Sequence, residues 1–224
     1  MTRRFAGETA GADLGGLVAE STARFGVELS SDALSRLARF VDLLALWNRR
    51  VRLTGEREAR TLVRKHVLDC LAPVPHLPPA GVVVDVGSGA GLPGVVLGCA
   101  RPDLDLCLVE SRRRRASFLR EAVRTIPLPR ARVLEARAEA LDAEDVVGKA
   151  SVIIARAVRL ESFLVMAARL VGRHGVVIAM QTPGALPPAA VRALEQARLR
   201  STGAQYYELP GGERRRLLFF AAMC

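Results

Sequence analysis

Val82-Val83-Val84-Asp85-Val86-Gly87-Ser88-Gly89-Ala90-Gly91-Leu92-Pro93-Gly94 is the stretch on which the reading of this chain turns. Four valines around one carboxylate make a short β-branched run, which reads as a strand buried on both faces. The glycines after it let the backbone turn sharply and let a ligand come close to the helix that follows. The spacing predicts a strand over 82–86 and a helix over 92–100, with Pro93 as an early helix residue.

Working outward, the same alternation repeats downstream. Strands are expected over 104–109, 131–136, 152–155 and 176–180, with helices over 113–125 and 160–171 between them. Continuous apolar strands separated by helices mean a parallel sheet covered on both faces, an α/β doubly wound fold. The last forty residues depart from this pattern: a helix over 189–200 is followed by strands over 205–209 and 217–222. Gly211-Gly212 reads as the turn of a hairpin, so the mostly parallel sheet should end in an antiparallel C-terminal edge.

Upstream, no strand-like run precedes residue 80. Leu34, Leu37, Val41 and Leu44 recur at helical spacing over 32–47, with Ser30 or Ser31 as N-cap. A second helix is expected over 58–71, before a breaker cluster of Pro73, Pro75, Pro78 and Pro79. The chain divides on this reading into an N-terminal helical cap, 1–78, and a sheet domain, 79–224.

Composition narrows the function classes. Of 224 residues, 50% are hydrophobic and 25% charged, which excludes a disordered chain. The net charge of +10 favours a polyanionic partner, nucleic acid or an acidic membrane surface. The excess is local: residues 49–65 hold seven bases and two acids, residues 101–137 hold ten and five, and the remainder balances at 16 of each. Cys70, Cys99, Cys107 and Cys224 form no C-x-x-C pair, so no metal site is expected and they read as buried thiols of a reducing compartment. With no secretory signal pattern and no run of about 18 apolar residues, a cytoplasmic protein without a membrane role is expected, acting as a monomer.

The loop contains a G-x-G-x-x-G match at Gly89, Gly91 and Gly94, but Asp85 speaks against a dinucleotide. A carboxylate in that turn would repel a pyrophosphate, whereas it suits a cationic ligand end such as the ammonium group of S-adenosyl-L-methionine. Glu110 ends the second strand, where a carboxylate can accept hydrogen bonds from both ribose hydroxyls of either ligand.

The run 85–94 resembles the loop of the bacterial small-subunit ribosomal RNA guanine-N7 methyltransferases, also called glucose-inhibited division protein B. The resemblance extends through Leu46-Trp47-Asn48, Leu53-Thr54, His66 and Asp69, then Leu108 to Ser111, Phe118-Leu119, Arg137-Ala138-Glu139 and Arg156-Ala157-Val158. It ends at Gly212-Glu213-Arg214. It implies a class I methyltransferase-type fold and S-adenosyl-L-methionine as cofactor. Cofactor contacts are implied at Gly87 and Leu92, at Ala138 and Glu139, and at Arg156; the loop chemistry adds Asp85, Gly89 and Glu110. One departure stands out: where the family's A-L-K-G is expected, this chain has Ala179-Met180-Gln181-Thr182-Pro183-Gly184, with Gln181 in the place of the lysine.

Guanine N7 has an in-plane lone pair that is free at neutral pH, so no general base is needed and catalysis should rest on positioning. Arg137 and Arg156 are the positioning candidates. Arg112, Arg113, Arg114 and Arg115 open a helix where cations oppose its dipole, so local stability does not explain them; with Arg137 and His66 they are the candidates for contact with ribosomal RNA or the small ribosomal subunit. A nicotinamide-dependent oxidoreductase using the G-x-G-x-x-G match, or a non-enzymatic RNA-binding protein, are the alternative readings.

Overall fold

The computed structural model describes residues 8–142, 144 and 146–223; the basic residues 1–5 and Cys224 lie outside them. Three helices open the fold: α1 (Glu8–Phe25), α2 (Ser31–Asn48) and α3 (Ala59–Leu62). Ser30 caps α2, its side chain accepting from the Ala33 amide at 3.2 Å. Of the predicted stripe, Leu37, Val41 and Leu44 are buried while Leu34 is half-buried; Ala33 and Phe40 complete the buried face. A π-turn, Val63–Val67, continues α3 into α4 (Leu68–Leu71). The helix expected over 58–71 is thus present but widened in its middle, and the wide turn carries His66.

Seven strands follow, interleaved with helices: β1 (Val82–Val86), α5 (Gly94–Ala100), β2 (Asp105–Val109), α6 (Arg113–Thr125), β3 (Ala131–Leu134), β4 (Ala150–Arg156), α7 (Leu160–Leu170), β5 (Val171–Gln181), α8 (Pro188–Gln196), β6 (Leu199–Glu208) and β7 (Arg214–Ala222). They form one sheet in the order β3-β2-β1-β4-β5-β7-β6. The first five are parallel, and β7 pairs antiparallel with both β5 and β6. This is the doubly wound, mostly parallel sheet with an antiparallel edge. Gly211 and Gly212, both at positive φ, make the hairpin turn.

Several boundaries differ from the periodicity. The helix expected to reach residue 200 stops at Gln196, because Arg198 takes a left-handed φ of 51° and β6 begins at Leu199. That strand is longer than expected because Arg200, Ser201 and Thr202 are exposed on an edge, where no apolar alternation is required. Likewise β5 starts at Val171, which pairs with Ala150, rather than at 176.

One apolar cluster covers one face of the sheet and unites Phe40, Leu44 and Leu62 with Val95, Phe118 and Ile178. Trp47 meets Phe118 edge-on at 5.6 Å between ring centroids. The helices before Pro73 therefore share a core with α5 and α6. A second cluster on the other face holds Phe163, Leu164, Ile153 and Phe220 under α7 and α8. Between these covers, the carboxyl ends of β1, β2, β4 and β5 lie on one rim of the sheet, the usual place for a ligand crevice.

Candidate functional site

The rim is built first by the loop after β1. Gly87 is exposed at φ +74°, a conformation L side chains rarely adopt, and a Cβ there would come within 3.2 Å of Val158 Cγ2. The loop is anchored from below by two carboxylates. Asp85 is fully buried; its Oδ2 accepts from the Gly94 amide at 2.9 Å, while Oδ1 has no hydrogen-bond partner. A Cβ on Gly94 would sit 2.6 Å from that Oδ2, so the contact requires glycine. Burial pushes the Asp85 carboxyl up to about 7, against the opposing pull of the Gly94 amide. Glu110 accepts from the amides of Gly89 at 3.0 Å and Arg112 at 2.7 Å, tying the loop to the start of α6.

A cavity of about 150 Å³ opens beside this loop, walled by Gly87, Glu110, Ser111, Ala136, Arg137, Ala138, Glu139, Val158 and Met166. Of the residues expected to touch the cofactor, Gly87, Glu110, Ala138 and Glu139 meet here. The donor set fits the nucleoside end of S-adenosyl-L-methionine: apolar walls for a base, and in Glu110 a carboxylate whose two oxygens each keep a free lone pair. Asp85, Gly89 and Leu92 are buried beneath the loop and line neither this cavity nor the next.

Arg156 lines a second cavity, of about 370 Å³, with His66, Asp69, Val158, Met180, Gln181, Thr182, Tyr207 and Arg215. Its guanidinium is held from two sides. Nε donates to Asp69 Oδ2 at 2.7 Å and Nη2 donates to His66 Nδ1 at 2.9 Å. The Tyr207 hydroxyl completes the array, donating to Asp69 Oδ1 at 2.7 Å. Burial, followed by the Arg156 charge, pushes the His66 imidazole down to about 4. Burial and the neighbouring Asp69 carboxylate hold the Tyr207 phenol well above its usual range. The ring is therefore neutral at ordinary pH and its Nδ1 acts as an acceptor.

Val158 belongs to both cavities. Its loop follows β4, where Ala157 has a positive φ of 59°, and the Val158 carbonyl accepts from Gln181 Nε2 at 3.3 Å. Gln181, the residue in the lysine's place, thus tethers the partition between the two spaces.

Arg112, Arg113 and Arg114 are exposed at the start of α6, whose first turn has no acidic residue and no side-chain cap. Arg115 is half-buried, with Nη1 lying 3.4 Å from where a Gly89 Cβ would be. Arg137 is exposed on the rim of the smaller cavity, apart from Arg156. Tyr207 and Met166 were not singled out from the sequence, and Val158 entered only as the last residue of the Arg156-Ala157-Val158 motif. His66, Asp69 and Arg156 each stood out in the sequence, but their meeting with Tyr207 did not, since Tyr207 lies 138 residues from Asp69. The neighbouring Trp47-Asn48 motif proves structural: Asn48 is buried and its Oδ1 accepts from the amides of Leu53 and Thr54 at 2.8 and 3.0 Å. Among the described residues no cluster suits a metal ion and no helix is long and apolar enough to cross a membrane.

Comparison with known proteins gives consistent matches. A family model described as rRNA small subunit methyltransferase G matches residues 33–207. Ribosomal RNA small subunit methyltransferase G of Halorhodospira halophila is 38% identical over 186 residues, spanning 80% of this chain and 87% of that protein. The protein of the same name from Dichelobacter nodosus is 41% identical over 155 residues, 69% of this chain and 72% of its own. Among solved structures, M. jannaschii TYW2 in complex with AdoMet matches with a TM-score of 0.56 at 13% identity, over 70% of this chain and 76% of that one. A TehB-like SAM-dependent methyltransferase from Corynebacterium glutamicum matches at 0.55 and 14% identity, over 81% and 97%. At such identities these two likenesses concern the fold.

Proposed function

Because the chain belongs to the rRNA small subunit methyltransferase G family, we propose that it methylates N7 of a guanosine in small-subunit (16S) ribosomal RNA. Family membership decides against the nicotinamide and non-enzymatic readings. The observation that carries the proposal is the shared wall: a smaller space beside the glycine loop and a larger one, both at the carboxyl ends of the strands, meet at Val158.

When bound, S-adenosyl-L-methionine supplies an electrophilic methyl group on a sulfonium. Glu110 receives its ribose, Gly87, Ala138, Glu139 and Met166 enclose the adenine, and Val158 marks the passage into the larger cavity where the target base enters. Asp85, sealed beneath the loop, acts on the donor's positive end through its charge. Guanine N7 would take the methyl carbon with its own lone pair as the carbon–sulfur bond breaks and the neutral thioether leaves, so no residue has to remove a proton; orienting two bound reactants can lower such a barrier by about 7 to 11 kcal/mol. Transfer leaves a positive charge on the purine. Arg156 tolerates this because Asp69 balances its charge at 2.7 Å. Arg112 to Arg115 hold the RNA backbone beside the donor loop, and the substrate places the work in the cytoplasm. Mapping methylated guanosines in ribosomal RNA with and without the protein tests the proposal: one 7-methylguanosine should depend on it, and the absence of any dependent site would sink the reading.

A further inference from the structure

We infer that His66 selects the target base, donating its Nε2–H to the 6-carbonyl oxygen of the purine whose N7 is methylated. The inference rests on the guanine-N7 reading above and names the residue that would enforce it.

The tautomer is settled by the partner. An arginine side chain has donors and no acceptor, so Arg156 Nη2 at 2.9 Å must donate to His66 Nδ1. The neutral ring then carries its proton on Nε2. That nitrogen has no acceptor among the described residues, and the ring lines the larger cavity. The π-turn over Val63–Val67 brings His66 there, while Asp69 stays buried below at 2% exposure and draws the Arg156 guanidinium down beside it. Arg156 is committed on two sides; His66 presents one fixed, uncharged donor.

That is the group the reaction calls for. On the edge of guanine that carries N7, the neighbouring atom is O6, an acceptor; in adenine the same position is an amino donor. A donor placed for O6 leaves the N7 lone pair free for the methyl group and faces the adenine amino group donor to donor. Its neutrality matters as well, because a cation at that position would oppose the positive charge the purine acquires. Burial and the Arg156 charge hold the ring in that neutral form.

The test compares ribosomal RNA bearing guanosine at the modified position with RNA bearing 2,6-diaminopurine riboside there, which keeps N7 but replaces O6 by an amino group. The wild-type protein should prefer guanosine by roughly 10- to 100-fold in kcat/KM, the scale of leaving one polar group without its partner. His66→Leu should lose at least tenfold on guanosine and treat the two bases alike, with S-adenosyl-L-methionine affinity unchanged by calorimetry. Retention of the wild-type preference by His66→Leu would overturn the inference. If His66→Leu does not fold, His66→Gln, whose amide can turn either its N–H or its oxygen to the base, should narrow the preference, and an unchanged preference overturns the inference equally. Failure of the wild-type protein to methylate guanosine would instead remove the reading on which the inference stands.

Discussion

Asp69 Oδ2 lies 2.7 Å from Arg156 Nε, joining the helical segment before the proline cluster to the carboxyl end of β4. The pair is only 3% and 18% exposed at its two side chains, and the second Asp69 oxygen takes the Tyr207 hydroxyl. The array in the wall of the larger cavity therefore joins three separate parts of the chain, with Asp69 at their junction.

Removing Asp69 leaves a guanidinium and a phenol without their acceptor in a largely buried place. Breaking such a pair from one side costs about 3 to 5 kcal/mol. Asp69→Ala should lose stability on that scale in urea unfolding, and methylation should fall further than donor binding, because the donor cavity does not include this array. Asp69→Asn, which keeps an acceptor, should lose less. A stability change below about 1 kcal/mol for the alanine variant would show that the array contributes little.

Asp85 predicts a pH dependence of its own. Its carboxyl is raised to about 7 by burial, with the Glu110 charge adding to the rise and the Gly94 amide and the Arg156 charge opposing it. The folded chain thus holds a proton that the unfolded chain releases near 3.8. The stability so gained is complete below that value and fades as pH rises through about 7. Asp85→Asn has no such titration, so its stability relative to wild type should improve from pH 5 to pH 8 in chemical unfolding. Binding of a cationic donor favours the ionised form. Wild-type affinity for S-adenosyl-L-methionine should therefore rise through the same window and stay flat in Asp85→Asn; parallel curves would remove the charge role.

The glycine loop, the alternation of strands with helices and the antiparallel edge were legible because continuous valine runs, glycine punctuation and the Gly211-Gly212 turn are local signals. So was the first carboxylate pair, since Asp85 and Glu110 lie at the carboxyl ends of neighbouring parallel strands, one residue before the last of β1 and one after the last of β2. What was hidden is nonlocal. Arg156 reads in sequence as a cofactor contact, yet Asp69 and His66 draw it into the larger cavity, and nothing near Tyr207 announces a partner in the helical segment. The exposed start of β6 carries no alternation because an edge strand has little to bury. Asp85 reads as a residue facing the ligand, whereas the Gly94 amide turns it inward beneath the loop.

Gly87 stands where backbone conformation and site geometry meet. Alanine there must adopt φ +74°, which costs about 1 to 2 kcal/mol in a left-handed conformation. Its Cβ would also press on Val158 Cγ2 at 3.2 Å, so the partition must shift by a few tenths of an ångström. Gly87→Ala should lower stability modestly and weaken donor binding about tenfold, equivalent to 1.4 kcal/mol. Donor affinity equal to wild type would mean that the cavity beside Gly87 is not the donor's.

Gln181 offers a test in the opposite direction, a gain. The residue ends β5 on the wall of the larger cavity, and its amide donates to the Val158 carbonyl at 3.3 Å, near the limit of a useful hydrogen bond. Gln181→Lys restores the cation that the family resemblance leads one to expect and gives up that weak tether. If the position meets an RNA phosphate, the added charge releases one more counterion on binding, and the plot of log affinity against log salt should steepen by about 0.7 to 0.9. Fluorescence anisotropy of labelled RNA over a salt series measures this directly. Gln181→Met, which removes the tether without adding charge, separates the two effects: it should leave the slope at the wild-type value. A lysine variant with an unaltered slope would place residue 181 away from the RNA backbone and leave its role as the tether of Val158.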